Sequence, residues 1–284
     1  MTSERLWSLA MAIASVRPAA LAGQFYPSNA RVLRMQITEM LAAALPPEHL
    51  TAPKAIIVPH AGYIYSGAVA ANAYRSLSAV REQIRRVVVL GPAHRAAVRG
   101  FVLPAAQAFS TPLGEVPLSR LDWLMLQTRN DVYVDDQPHA LEHCIEVQLP
   151  FLQTLLGSFS LVPILVGEAS DEAVAELLEA LWGGPETLIV ISSDLSHYLP
   201  YRQAQWIDRS TVDQVLELRP GISHQQACGA TPVNGLLLAA QRRLLKPQLL
   251  DLRNSGDTAG DRSRVVGYAS LVFSEPEASA HARH

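Results

Sequence analysis

Cysteine is scarce in this chain: Cys144 and Cys228 are the two among 284 residues. At most one disulfide could form, and a chain of this length needs none as a staple. A reducing cytoplasm is therefore the expected compartment. Two sulfurs are also too few to hold a four-iron cluster in the usual manner. A dominant charge is missing as well. Lys and Arg total 23 against 26 Asp and Glu, a net charge of -3, and the cations are scattered. That leaves no electrostatic footprint for nucleic acid. Long apolar runs are absent near the start, where the uncharged stretch from Leu6 to Val16 is too short to cross a bilayer, so no membrane role is expected. Arg5 with "LWSLAMAIAS" has a weak likeness to a signal peptide. Its thin basic region and unclear cleavage site favour a start extension or a short docking helix. No Gly/Ser-rich linker, internal repeat or low-complexity segment interrupts the middle. One domain over residues 16–274 is expected, with an N-terminal extension over 1–15 and a polar, frayed tail over 275–284. His281 and His284 in that tail are poor ligand candidates.

What is abundant is apolar material, 49% of the residues. It falls into runs of Val, Ile and Leu: "AIIVP" (55–59), "RVVVLGP" (86–92), "GFVLP" (100–104), "LVPILVG" (161–167), "TLIVISSD" (187–194) and "VVGYASLVF" (265–273). Several do not alternate, as expected for strands covered on both faces. Helical patterns separate them. One runs from Arg31 to Leu45 with Ser28 as its N-cap, and others are "SGAVAANAYRSL", "EVQLPFLQTLL" and "EAVAELLEALW". The last runs from Pro232, in a first turn, to Leu245. The alternation predicts an α/β fold, a three-layer α/β/α sandwich around a mostly parallel or mixed sheet. Strand order cannot be read from the pattern. In such sheets ligands bind beyond the carboxyl ends of the strands.

Histidine is also sparse, nine in all, yet three of the nine follow strand runs closely. "AIIVPH" gives His60, "VVVLGPAH" gives His94, and "LIVISSDLSH" gives Asp194 and His197. If those strands are parallel neighbours, the side chains converge on one edge of the sheet. "PHALEHCIEVQLP" adds His139, His143 and Glu146, and "ACGATPVNG" adds Cys228 just before a predicted helix. Imidazole, thiolate and carboxylate are what a transition-metal site requires. Each piece has a plainer reading. His60 could end a strand, His94 could sit in a surface turn, and "SSDLSH" could cap a helix. His139, His143 and Glu146 could form a solvated stripe on one helical face, and Cys228 could be a small buried hydrophobe. Cys144 is expected only to pack. The clustering favours a shared site, although the spacings match no compact zinc motif.

At these residues the chain resembles the Memo family, the class that includes the AmmeMemoRadiSam system protein B. That class is related in fold to the class III extradiol ring-cleaving dioxygenases. The likeness runs through "RPAALAGQFYP", "PHAGYIYSG", "LGPAH", "STPLGEVPL", "EHCIEVQLPFL", "VPILVG", "SSDLSHY", "ACGATPVNGLL" and "NSGDTAGDRSRVVGYAS". It implies that His60, His94 and Cys228 hold one metal ion, iron or copper by preference and zinc as the alternative. It places His197 and Asp194 beside the metal, with His143 and Glu146 lining the same cavity. Cys144 stands where many relatives carry Ser, and a thiol near a redox metal is open to oxidation. The label also implies functional association with a radical S-adenosylmethionine (radical SAM) protein and an AMMECR-type protein.

Ligand chemistry narrows the options. Ring-cleaving relatives use two histidines and a carboxylate, whereas a thiolate is softer and itself oxidisable, which counts against ordinary extradiol cleavage. His197 is the expected general acid/base, with Asp194 or Glu146 orienting it or a ligand. Tyr63 and Tyr65 are expected to wall the substrate space and donate phenolic hydrogen bonds. Three functions remain open: a redox-metal oxidoreductase of dioxygenase-like type, a zinc hydrolase with His197 as base, and a non-enzymatic module that binds a small molecule or peptide.

Overall fold

The structure, a computed structural model, describes residues 16–45 and 52–276. The N-terminal extension over 1–15 and most of the tail, with His281 and His284, lie outside the described residues. The strands are β1 (Val16–Arg17), β2 (Pro53–Val58), β3 (Arg86–Pro92), β4 (Phe101–Leu103), β5 (Ala108–Thr111), β6 (Gly114–Pro117), β7 (Val132–Val134), β8 (Ser160–Val166), β9 (Thr187–Ser192), β10 (His197–Leu199), β11 (Lys246–Asn254) and β12 (Val265–Ser274). The α-helices are α1 (Ala30–Ala43), α2 (Ala68–Ser76), α3 (Arg120–Leu126), α4 (Gln137–Ala140), α5 (Leu149–Leu156), α6 (Asp171–Ala180), α7 (Tyr201–Leu216) and α8 (Ala230–Arg242). Among the described residues, no helix is long and apolar enough to cross a membrane.

Among the described residues, nine strands form one mixed sheet in the order β10-β12-β2-β9-β3-β8-β4-β7, with β11 paired to β12. Its centre, β2, β9, β3 and β8, is parallel throughout, while β12 and β4 run antiparallel to their inner neighbours. The central strands are covered on both faces, and each divides its side chains between two cores. Ala55, Ile57, Val88, Leu90, Ile189 and Ile191 pack with α6 and α8, whereas Ile56, Val58, Val87, Val89, Leu188 and Val190 pack with α1, α2 and α5. The result is the expected three-layer α/β sandwich. Helix α6 starts where the Ser170 side chain accepts from the Ala173 amide at 3.1 Å, with Asp171 and Glu172 in its positive first turn. Helix α8 crosses it closely because Gly235 has no side chain: a Cβ there would stand 2.2 Å from a Val174 methyl.

Four sequence expectations change. Asn29, not Ser28, caps α1, its side chain accepting from the amides of Arg31 and Val32. The 16-residue helix α7 was not expected, because its buried face mixes Ala204, Asp208 and Thr211 with only two valines, Val212 and Val215. Strand β11 and a second sheet, β1-β5-β6, were likewise unforeseen. The stretch from His139 to Glu146 is not one helix, since α4 ends at Ala140 and a turn precedes the 3-10 segment at Glu146–Gln148. The helical-face argument that joined His139, His143 and Glu146 therefore does not apply.

That turn is clamped from below. Arg17 donates through Nε to the His139 carbonyl (2.8 Å), through Nη2 to the Glu142 carbonyl (2.8 Å), and through Nη1 to the Glu146 carboxylate. Glu146 also receives the amides of Ala20 (3.0 Å) and Leu21 (2.9 Å) and the Tyr26 hydroxyl. Its expected place at the cavity is thereby corrected: both oxygens are engaged by the N-terminal segment. With the Arg17 and Glu146 side chains 5% and 0% exposed, removing one partner leaves an unpaired buried charge. Arg17→Ala is expected to lower the unfolding free energy by about 3–5 kcal/mol, measured by urea denaturation. Arg17→Met combined with Glu146→Gln is expected to recover part of that loss.

Candidate metal centre

The three parallel neighbours β2, β9 and β3 end nearly level, Val58 pairing with Ser192 and Leu90 with Ile191. Two residues past each strand's last residue stand His60, Asp194 and His94. The fourth contributor is the clamped turn, which brings His143 to the same edge. The rings of His60, His94 and His143 lie close together, with centroids 5.1, 5.1 and 4.6 Å apart. One donor nitrogen from each lies within 4.8 Å of the others. Cys228, in the turn before α8, brings its Sγ to 3.2 Å from His60 Nε2.

Hydrogen bonds fix which nitrogen each ring offers. Nδ1 of His60 meets Ser192 Oγ at 2.9 Å. Nδ1 of His94 and of His143 both meet Glu142 Oε1, at 2.9 and 3.0 Å. Nε2 is left as the remaining donor of all three rings, the arrangement in which outer hydrogen bonds orient metal-binding imidazoles. Glu142 also accepts the amides of His94 (2.7 Å), His143 (2.9 Å) and Cys144 (3.2 Å). Burial works to raise its carboxyl, but hydrogen bonds from His143 and His94 and their charges outweigh it and hold the group well below the carboxylate range. Glu142 is thus the carboxylate of the site, and sequence reasoning missed it. Its signal was adjacency to His143 in "LEHCIE". The assumption of a continuous helix pointed to Glu146 instead.

Asp194 and Cys228 form the opposite wall. Asp194 Oδ1 accepts the His60 amide at 2.7 Å, and the Asp194 amide donates to Cys228 Sγ at 3.3 Å. Asp194 therefore holds the backbone of His60 and the sulfur, and its carboxyl is raised by burial. Burial, followed by the nearby Asp194 charge, pushes the Cys228 thiol up to about 12. Burial, then the neighbouring His143 and His94, lowers His60 well below its ordinary value and keeps it a neutral imidazole. A neutral His60, two further imidazole nitrogens beside it and a buried thiol whose proton is held until a cation replaces it fit a transition-metal ion.

Tyr63, His139 and Cys144 are engaged away from the cluster. The Tyr63 hydroxyl donates to the Val147 carbonyl at 2.7 Å, and its ring packs on Phe151 and Tyr26. It belongs to the core rather than to a substrate wall. Tyr65 is half-buried near Gly62, and its amide donates to the Gly62 carbonyl. His139 is buried against the Val102 carbonyl, 3.0 Å away. Cys144 packs as expected: its Sγ reaches the Pro92 carbonyl at 3.2 Å, and a Cβ on Gly91 would stand 2.5 Å from it. Donor atoms of His94, Glu142 and Cys144 also fall within 4.8 Å. The engaged Glu142 oxygens and the buried, raised Cys144 thiol make that group structural.

His197 sits at the mouth. Its Nδ1–H donates to the Leu195 carbonyl at 2.8 Å, which leaves Nε2 unprotonated in the neutral ring. With His94 and Cys228 it borders a cavity of about 760 Å³ that extends over α7 and the loop before α8. Trp206 and His224, neither singled out in the sequence, lie on that cavity's wall.

Comparison with known proteins agrees with this architecture. A MEMO1 family protein of Sulfolobus acidocaldarius is 33% identical, covering 92% of this chain and all of its own length. Another from Aquifex aeolicus is 35% identical over 91% of this chain and 99% of its own. Among solved structures, an uncharacterised protein of Escherichia coli K12 shares the fold, with a TM-score of 0.51 at 14% identity, covering 78% of this chain and 99% of its own. The family model described as Memo-like protein matches residues 17–272, and the chain belongs to the Memo family.

Proposed function

We propose that this protein holds one redox-active transition-metal ion, iron or copper, and is an oxidoreductase acting on a small molecule in the adjoining cavity. The observation that carries the reading is the convergence of three imidazoles within 4.8 Å, with the Cys228 sulfur 3.2 Å from His60. His60, His94 and Cys228 are the proposed ligands, and His143 completes the set through Nε2. Three nitrogens and one soft sulfur favour copper or an electron-rich iron over the hard cations magnesium and calcium. An ion held there would supply one-electron redox chemistry and Lewis acidity.

The chain's own groups do the rest. Glu142 keeps two imidazoles in one tautomer and supplies the negative charge that balances the ion. Asp194 ties the His60 and Cys228 segments together. His197 accepts or returns a proton through Nε2 at the cavity mouth, the role of a general acid/base. Zinc on the same donors would turn the chemistry toward hydrolysis, and the donor set supports that as the second reading.

Elemental analysis of protein purified without added metal tests the first step. Close to one equivalent of iron or copper is the expected result, while zinc alone would move the assignment to a hydrolase and an empty site would end it. Because the Cys228 thiol is raised, the metal-free protein carries its proton at neutral pH, and a metal must displace it. Cobalt(II) affinity is therefore expected to rise about tenfold per pH unit between roughly pH 7 and 9, with a near-ultraviolet sulfur-to-cobalt band. Cys228→Ser is expected to lose both the band and the slope. Glu142→Gln is expected to weaken cobalt binding by about 10–100-fold. His197→Ala is expected to retain the metal, checked by the same elemental analysis, and loss of metal would make it a ligand.

A further inference from the structure

The cavity beside the cluster has a wall that the fold does not require. Tyr198, directly after His197, sits at φ 58°, in the left-handed region that a bulky residue occupies only under strain. It lies where the register of β10 against β12 shifts, between the His197–Val266 and Leu199–Val265 pairs. Such irregularities re-aim side chains beside functional sites. The ring does not gain burial from this, since Tyr198 is 63% exposed, and Trp206 on α7 is 74% exposed. Both line the cavity that reaches the cluster through His94, His197 and Cys228. Leu199 and Ile207 add apolar surface, and Ser210 and Gln225 supply neutral hydrogen-bonding groups, while the Gln226 amide is engaged with Ser223 and Thr211. Among the described residues, no Asp, Glu, Lys or Arg lines it. Arg264 stacks on the Tyr198 ring, 5.1 Å from its centroid, and braces it.

We infer that the cleft takes an uncharged, flat, apolar ligand carrying hydrogen-bonding groups, with Tyr198 and Trp206 as its selectivity walls. This rests on the proposed function only in placing the reacting end of the ligand at the histidine cluster. A volume of about 760 Å³ lies within the range of small-molecule sites. The basic groups on these walls are the imidazoles of His94, His197 and His224, with no lysine, arginine or carboxylate among the described lining residues. A charged ligand is therefore costly to desolvate there at a pH where the imidazoles are neutral, while amide and hydroxyl groups can be met by Gln225 and Ser210. The strain at Tyr198 is retained because it presents the ring to the ligand.

The test uses an isosteric pair, 2-naphthamide and 2-naphthoate, titrated into the full chain and followed by saturation-transfer NMR. Chelator-treated protein and metal-loaded protein are compared. The amide is expected to bind both forms, and the carboxylate to bind chelator-treated protein at least roughly tenfold more weakly. Trp206→Ala and Tyr198→Asn are each expected to weaken amide binding roughly threefold to tenfold. Tyr133→Ala, an exposed ring on β7, leaves it unchanged. Asn tolerates the left-handed region, so Tyr198→Asn is expected to keep or raise the melting temperature while losing affinity, a split that a structural role would not give. Failure of the amide to bind, equal or tighter binding of the carboxylate to chelator-treated protein, or indifference to both substitutions overturns the inference. If the protein retains no metal yet the amide binds and the variants respond, the cleft assignment stands and the metal reading falls.

Discussion

The site depends on three parallel strands leaving the sheet at nearly the same level. Because β2, β9 and β3 are hydrogen-bonded neighbours, adjacent strands stand about 4.8 Å apart. His60, Asp194 and His94 occupy equivalent positions past their ends. His60 and His94 leave strands on either side of β9, two such spacings apart at the backbone, and their side chains lean together over β9 until the ring centroids are 5.1 Å apart. No loop has to search for this geometry, since the two hydrophobic cores that fix the strands also fix the exits. A slip of one residue in β2 would move His60 by about 3.3 Å and exchange the faces of Ala55 and Ile56. Packing of the sheet and assembly of the site are thus one constraint.

A second layer acts through charge. Glu142 is buried with two histidines and three backbone amides around its oxygens. An ionised carboxylate is tolerated there because every contact donates to it. The Arg17–Glu146 pair holds the turn from beneath, its guanidinium gripping the carbonyls of His139 and Glu142. Two acidic residues four apart in sequence therefore divide the work. Glu146 fastens the N-terminal segment to the turn, and Glu142 orients the imidazoles that the turn delivers.

The long buried strands and the meeting of His60 and His94 at one sheet edge, with His197 bordering the adjoining cavity, were legible because buried parallel strands read as uninterrupted aliphatic runs, and a polar residue at the end of such a run stands out. Cys228 was marked as a ligand by the family resemblance, since its place before a helix start fits a small buried hydrophobe equally well. Glu142 was not, since choosing between it and Glu146 needs the backbone path from Ala140 to Ile145, and periodicity assumed a helix there. Tyr63 read as a cavity wall from its closeness to His60 in sequence, yet the turn after His60 sends it to Phe151. Helix α7 and its Trp206 escaped because Asp208 occupies a buried position. There it accepts the Ser196 amide at 3.0 Å and fits against Gly267, where a Cβ would stand 2.0 Å from its carboxylate. A polar group buried for a specific partner breaks the amphipathic pattern that marks a helix.

The same contact links the unforeseen helix to the chemistry. Asp208 fixes Ser196, the residue before His197, so α7 sets both the height of the proposed acid/base and the position of Trp206. Burial raises the Asp208 carboxyl to about 6. At lower pH it becomes protonated, and its hold on the Ser196 amide weakens from a charge-assisted bond to a neutral one. Stability from this carboxyl follows the opposite sign from a salt-bridged one. A raised folded pKa means the ionised form is disfavoured by folding, so the carboxyl's contribution is lost as pH rises from the ordinary aspartate value of 3.8 to about 6 and does not change further above that. The protein thus keeps a carboxylate where burial opposes it, on the element that joins the cleft to His197. A neutral residue there would avoid that cost, but it would give up the anionic acceptor that fixes the His197 segment.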